Sequence, residues 1–204
     1  MKQKNKQKAL VSIVINIFNG EKYIEAALKT VFSQTYKNWE IIFWDNRSTD
    51  GSKKKFKRYK DKRLKYYLAK KHTNLYDARN LAIKKCQGSL VTFLDADDLW
   101  LSIRLEEQVK FMKHNKQYNM IYSNYYVLKN NRKYLFRSNL PDGYITQKLL
   151  NRYDLGISTV MVKREVFLKN FFNQKLNIIG DFDFFINLSL KQKIVCIQKP
   201  LSIY

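Results

Sequence analysis

The chain has 204 residues, 45% of them hydrophobic, which suits one folded domain with a sizeable core and excludes a disordered protein. The balance of 39 Lys plus Arg against 17 Asp plus Glu gives a formal charge of +22, which admits nucleic acid, an anionic membrane surface or phosphorylated substrates as partners. No apolar run approaches the roughly 20 residues that span a bilayer, and the widely spaced Cys86 and Cys196 form no metal-ligand pair and read as reduced thiols.

Residues 1–9 form a basic tail with Lys2, Lys4, Lys6 and Lys8, and Leu10 to Phe18 follows it in an order that mimics a signal peptide. Ser12 and Asn16 interrupt the apolar part, and no small-x-small cleavage site follows. Leu10 to Ile17 therefore reads as a first strand after a solvated tail. Ile24, Ala27, Leu28, Val31 and Phe32 recur at helical spacing and predict a helix over 21–34. Glu40 to Trp44 is a second strand, ending at Asp45-Asn46-Arg47-Ser48-Thr49-Asp50-Gly51. A lysine-rich helix starts at Ser52, and Leu64 to Leu68 is a third strand. Leu75, Ala78, Ala82 and Cys86 line the next helix. After Gly88, Leu90 to Leu94 is short, apolar and rich in β-formers, as a buried fourth strand should be. A helix over 102–115 turns Leu105, Val109 and Met112 inward, and Met120 to Ser123 is a fifth strand.

Beyond residue 124 the pattern changes. A hairpin over 125–136 turns at Lys129-Asn130-Asn131-Arg132, and a short helix covers 146–152. A strand over 157–162, a helix over 164–170, a helix from Gly180 to about Leu190 and a strand over 194–197 before Pro200 complete the chain. No repeat and no Pro/Gly-rich linker interrupts it. One domain is expected over 10–204, with 10–124 and 125–204 as its halves.

Strands alternating with helices predict an α/β fold with a mostly parallel, doubly wound sheet and helices on both faces. Ligands of such sheets bind beyond the carboxyl ends of the strands. Three polar clusters fall there: Phe18-Asn19, Asp45-Asn46 and Asp95-Ala96-Asp97-Asp98. The last places three carboxylates where a buried strand ends. A solvated acidic turn is one reading of it. A hard divalent cation, Mg²⁺ or Mn²⁺ rather than zinc, offsets the repulsion in the other, and such a cation commonly holds a phosphate.

With these residues in place the chain resembles the family-2 glycosyltransferases of the GT-A fold, from Val11 to Tyr204. The resemblance rests on Val11-Ser12-Ile13-Val14-Ile15 with Phe18-Asn19-x-Glu21-x-Tyr23-Ile24, on Ser33-Gln34-Thr35-Tyr36 with Trp39-Glu40-Ile41-Ile42, and on Ser48-Thr49-Asp50-Gly51. Ala78-Arg79-Asn80-x-Ala82-Ile83 and Phe93-Leu94-Asp95-Ala96-Asp97-Asp98 complete it. It implies a nucleotide-sugar site of Phe18, Asn19, Glu21, Asp45, Asn46, Arg79 and Asp95, with uridine the expected base facing Asp45 and Asn46. Asp97, with Asp95, is the implied ligand of Mn²⁺ or Mg²⁺ on the diphosphate, and Asp95 also stands on the ribose side. Arg79 helps neutralise the diphosphate or is a helix-surface arginine. The family's usual Glu-Asp pair is Gly180-Asp181 here. Asp181 is then the general base of an inverting transfer, its other reading being a helix N-cap. Asp183 is a weaker acceptor-side candidate, and Trp100 either stacks on a sugar face or packs in the core. Asn46 departs from the family's second aspartate, and Asn16 stands where proline is common. Relatives often continue past the equivalent of Tyr204.

The partners implied are a nucleotide sugar and a glycan or lipid-linked acceptor in polysaccharide biosynthesis of the cell envelope. The expected place is cytoplasmic, peripheral on an anionic membrane face, with Lys53, Lys54, Lys55, Lys57 and Arg58 the contributors. Other readings are weaker. A haloacid-dehalogenase-type phosphatase carries Asp-x-Asp on its first strand, whereas here it follows the fourth. A sugar-phosphate nucleotidyltransferase shares sheet, metal and nucleotide but has no use for Asp181. No Gly-x-Gly-x-x-Gly follows the first strand, which disfavours a dinucleotide oxidoreductase. The nine basic residues from Lys53 to Lys65 suggest a nucleic-acid-binding protein, but a basic helix face is commonly just solvated, and no specific nucleic acid is expected.

Overall fold

A computed structural model describes residues 8–204, so Lys2, Lys4 and Lys6 of the expected tail lie outside the described residues. The strand β1 (Val11–Ile17) is rich in β-branched residues and lies between two parallel neighbours, β2 (Trp39–Asp45) and β4 (Leu90–Phe93). Outside β2 comes β3 (Leu64–Leu68), also parallel. The crossovers carry α1 (Ile24–Phe32), α2 (Ser52–Lys57) and α3 (Leu75–Ile83). The chain thus moves outward from β1 to β3, then returns to β4 on the other side of β1. That reversal opens a crevice beyond the carboxyl ends of β1 and β4.

The second half extends the same sheet through β5 (Leu99–Trp100), β6 (Met120–Lys129), β7 (Arg132–Leu135), β8 (Met161–Lys163) and β9 (Val195–Ile203). Its helices are α4 (Arg104–His114), α5 (Thr146–Asn151) and α6 (Gly180–Ser189). The sheet order is β3-β2-β1-β4-β8-β6-β9-β5, with β7 on β6. Residue 124, the expected division between halves, falls inside β6. Asn130 and Asn131, both at positive φ, turn the β6–β7 hairpin where it was expected.

Alternate strand residues feed two cores. Ile13, Ile15, Ile41 and Phe43 pack with Ile24, Leu28 and Leu105 on one face. Val14, Ile42, Trp44 and Phe93 pack with Ala78, Ala82, Phe184 and Phe185 on the other. Full burial of each large side chain contributes about 1.5–3 kcal/mol.

Four expectations need correction. The strand expected over 157–162 is a 3-10 turn (Ile157–Thr159) followed by β8, and the helix over 164–170 is a 3-10 turn (Arg164–Leu168). The strand β8 runs antiparallel to both β4 and β6, and Met161 pairs with Thr92, so the turn before it stands at the carboxyl end of β4. Strand β9 continues through Pro200 instead of ending before it. Pro200 sits opposite Asn124 at an irregularity in the ladder, where a missing N–H is tolerated. Leu75, expected on the buried face of its helix, is 41% exposed, because α3 buries Tyr76, Arg79 and Asn80.

Candidate active site

Loops after β1 and β2 build the first wall of the crevice. Asn19 adopts a positive φ of 53°, which asparagine tolerates. Its Oδ1 accepts from the Thr49 N–H at 2.8 Å, and its own N–H donates to Ser48 Oγ. Glu21 accepts from the Gly51 N–H at 2.9 Å, and a Cβ on Gly51 would stand 2.2 Å from Glu21 Oε1. Glu21 therefore fastens two loops and does not offer a free carboxylate. Phe18 is 53% exposed and lies against His72, ring centroids 4.4 Å apart.

Asp45 and Asn46 do not open toward a base as expected. Both are buried. Asp45 Oδ1 accepts from the Ser48 N–H at 2.7 Å and Oδ2 from the Tyr66 hydroxyl at 2.6 Å. Burial first, and Asp45 second, raise the Tyr66 phenol far above its ordinary value. Asn46 Nδ2 donates to the Thr73 carbonyl at 2.7 Å, while its Oδ1 accepts from the Thr73 N–H and hydroxyl, both at 3.2 Å. An amide makes this two-way clamp and a carboxylate cannot. That accounts for asparagine at this position. Asn46→Asp is expected to destabilise the fold by about 1–3 kcal/mol, since an acceptor would then face the Thr73 carbonyl. The check is the urea midpoint, and an unchanged midpoint counts against the clamp.

The second wall is the acidic cluster after β4. Asp95 is half-buried and accepts from Arg79 Nη2 at 3.0 and 3.3 Å. Arg79 is only 3% exposed, so it is no helix-surface arginine. Asp97 is exposed and makes no ion pair among the described residues. Asp98 is buried, and its carboxyl is pushed up to about 7 by that burial, with Asp95 and Asp97 adding repulsion and the Ser158 hydroxyl opposing it. Asp95, Asp97 and Asp98 thus lie near enough to repel one another. Among the described residues no three His, Cys, Asp or Glu side chains are placed to hold a metal ion together. One or two carboxylates suffice for Mg²⁺ when phosphates complete its shell.

Ser158, in the 3-10 turn ahead of β8, organises the floor of this cluster. Its hydroxyl accepts from the Asp95 N–H at 3.1 Å, and its N–H donates to the Tyr204 hydroxyl at 2.8 Å. Its carbonyl accepts from Trp100 Nε1 and from Ser202, each at 3.1 Å. Trp100 is 3% exposed and stacks on the buried Arg104 guanidinium at 3.8 Å. Of its two expected readings, core packing is the one observed, and the place on a sugar face is set aside.

Opposite stands the first turn of α6. Asp181 is half-buried between two phenols: the Tyr76 and Tyr153 hydroxyls approach its two oxygens at 3.5 Å each. Burial, with Asp181 adding to it, raises both phenols, so both stay protonated donors at neutral pH. Gly180 is needed because a Cβ there would lie 2.6 Å from the Tyr76 ring. Tyr76 thus occupies the space beside the position where the family's glutamate stands. Asp183 accepts from Asn187 Nδ2 at 3.2 Å, a pairing within its own helix. Tyr76 and Arg79 lie one turn apart on α3, so one helix face touches both Asp181 and Asp95. Nothing local in the sequence marks Tyr76, Tyr153 or Ser158, because their roles come from segments about 28 to 105 residues away.

Comparison with known proteins identifies the family and the fold. The sequence pattern described as Glycosyl transferase family 2 matches residues 12–185. The Escherichia coli UDP-Glc:alpha-D-GlcNAc-diphosphoundecaprenol beta-1,3-glucosyltransferase WfgD is 34% identical over 155 residues, covering 76% of this chain. The chain spans 60% of that relative's length. The crystal structure of Staphylococcus aureus TarS 1-349 in complex with UDP superposes with a TM-score of 0.82 at 19% identity, over 95% of this chain and 60% of that one. The mannosyltransferase PcManGT from Pyrobaculum calidifontis, solved with GDP-Man and Mn²⁺, gives 0.74 at 16% identity, over 98% and 57%. Both structural likenesses bear on the fold, which is GT-A.

Proposed function

The chain belongs to glycosyl transferase family 2, and we propose that it carries out an inverting transfer of a sugar from a uridine diphosphate donor to a hydroxyl of a lipid-linked glycan. The observation that carries this reading is the α3 face that ties Asp181, through Tyr76, to Asp95, through Arg79. One helix thereby contacts both carboxylates through side chains one turn apart, which supports their acting together.

Asp181 accepts the proton of the acceptor hydroxyl as its oxygen bonds to the anomeric carbon. The bond from that carbon to the diphosphate oxygen breaks, and the nucleoside diphosphate leaves with the electron pair. The Tyr76 and Tyr153 hydroxyls flank the Asp181 carboxylate at 3.5 Å each, which supports its orientation there. Asp97 and Asp95 would hold Mn²⁺ or Mg²⁺, which when bound neutralises charge on the leaving diphosphate. Buried Arg79 orients Asp95. Asp45 and Asn46 shape the base-side wall, and Phe18 and His72 offer it an exposed aromatic surface. The lipid-linked acceptor is supported by WfgD, whose name specifies a diphosphoundecaprenol-linked substrate, and the uridine donor by WfgD and the TarS complex. That chemistry belongs to envelope polysaccharide assembly on the cytoplasmic face of a membrane.

A thermal-shift screen of nucleotide sugars with and without Mn²⁺ tests this reading. A uridine diphosphate sugar should stabilise the protein, and more so with the metal. Stabilisation by no nucleotide sugar, with or without metal, would remove the proposal.

A further inference from the structure

The +22 charge alone points to α2 as a membrane contact, but α2 is poorly built for it. Its Lys55 lies 3.5 Å from Glu25, and Arg58 reaches the same carboxylate at 3.6 Å. Lys53 and Lys57 lie over the Tyr66 ring. The only apolar residue of this helix, Phe56, is buried. The helix offers charge but no side chain to insert.

The rim beside Asp181 offers both. The segment 166–180 contains no Asp or Glu. It is nailed to α3 on its inner side: Phe172 is buried, and Asn80 bonds both its carbonyl, at 2.8 Å, and its N–H, at 3.0 Å. Asn74 Nδ2 donates to the Gln174 carbonyl at 2.6 Å, and the Tyr76 ring covers Gly180. The first turn of α3 is therefore flush with residues 174–180. Beside the polar Gln174, Lys175 and Asn177, this junction presents aliphatic side chains outward. Ile178 is 77% exposed, Ile179 61% and Leu75 41%. Exposed Lys70 and Lys71 precede Leu75 in the loop that enters α3, and exposed Lys175 precedes Ile178 by three residues. Ile179 also holds a φ of 56°, a costly conformation for a β-branched residue where asparagine or glycine would be relaxed.

We propose that Leu75, Ile178 and Ile179, with the exposed Lys70, Lys71 and Lys175 on the segments that carry them, form the surface by which this chain docks on an anionic lipid bilayer. Apolar side chains enter the acyl boundary while lysines meet anionic headgroups, as in interfacial membrane binding. The patch opens on the same rim as Asp181, so docking brings the bilayer to the acceptor side of the crevice. The inference rests on the proposed function only for the lipid-borne acceptor.

The test uses the full chain and vesicles of phosphatidylcholine with or without phosphatidylglycerol, with no nucleotide sugar present. Wild type should sediment with the anionic vesicles. The double variant Ile178→Ser, Ile179→Asn should lose at least about tenfold in partitioning. Asparagine accepts the positive φ, so this variant keeps its fold, checked by circular dichroism. In a Leu75→Trp variant the new indole reports insertion, because Trp39, Trp44 and Trp100 are all buried. Its emission should shift to the blue on anionic vesicles. Wild-type partitioning by the double variant, or an unshifted Leu75→Trp emission in sedimented protein, overturns the proposal. So does loss of binding on Lys53→Gln, Lys57→Gln with the double variant unaffected. If the double variant instead dissolves a dimer and leaves vesicle binding intact, the patch joins two copies and the proposal fails. Donor-induced thermal stabilisation of the double variant should match wild type, which separates failure here from failure of the transferase reading.

Discussion

Asp181→Asn is expected to keep nucleotide-sugar binding and to lose sugar transfer by about a hundred- to ten-thousand-fold, the usual span of a general base. Asparagine preserves the size of the side chain; its carbonyl oxygen accepts from one of the two phenols, and its amide N–H donates to the oxygen of the other. The first turn of α6 should therefore stand unchanged. The substitution removes the negative charge and, with it, the capacity to take a proton. The measurement is a transfer rate at saturating donor, beside a thermal shift with the same donor. Residual product should carry the inverted anomeric configuration. Transfer at the wild-type rate would place the base elsewhere and make Asp183, in the same turn, the next residue to test. A retained configuration would exclude single displacement.

Asp97→Ala is expected to abolish the metal-dependent part of the donor's thermal shift. A ligand at a hundred times its Kd stabilises by about 2.7 kcal/mol. For a chain of this size that corresponds to a rise in Tm of roughly 5–10 °C. Asp97 is exposed and unpaired among the described residues, so its loss leaves no partner stranded. It also takes one negative charge away from buried Asp98, so the ligand-free protein should be no less stable than wild type. A full Mn²⁺-dependent shift in this variant would count decisively against Asp97 as a metal ligand.

Both residues are legible in the amino-acid sequence because each is marked by its neighbours. Asp97 follows an apolar run too short and too β-rich to be anything but a buried strand, and Asp181 opens a helical pattern after a glycine. Arg79 is legible as a candidate but not as a buried one. Its setting depends on Asp95, 16 residues on, and on the aromatic rings of Tyr76 and Phe172 beside it. The expected roles of Asp45, Asn46, Glu21 and Trp100 changed because each found protein partners that spacing does not announce. Ser48 and Tyr66 take Asp45, Thr73 takes Asn46, Gly51 takes Glu21, and Ser158 with Arg104 takes Trp100.

The sequence by itself determined the order of strands and helices through the parallel half, and with it the end of the sheet where the polar clusters gather. Hydrophobic period and the punctuation of turns are properties of neighbouring residues, and a parallel α/β layout follows from them. Only the tertiary structure decided which polar atoms remain free to meet a ligand, because a buried donor or acceptor is claimed by whichever partner the fold brings within about 3 Å. The same holds for β8, whose three residues carry no direction of their own. It runs antiparallel because the chain enters it at the carboxyl end of β4, and that entry sets Ser158 beneath the acidic cluster.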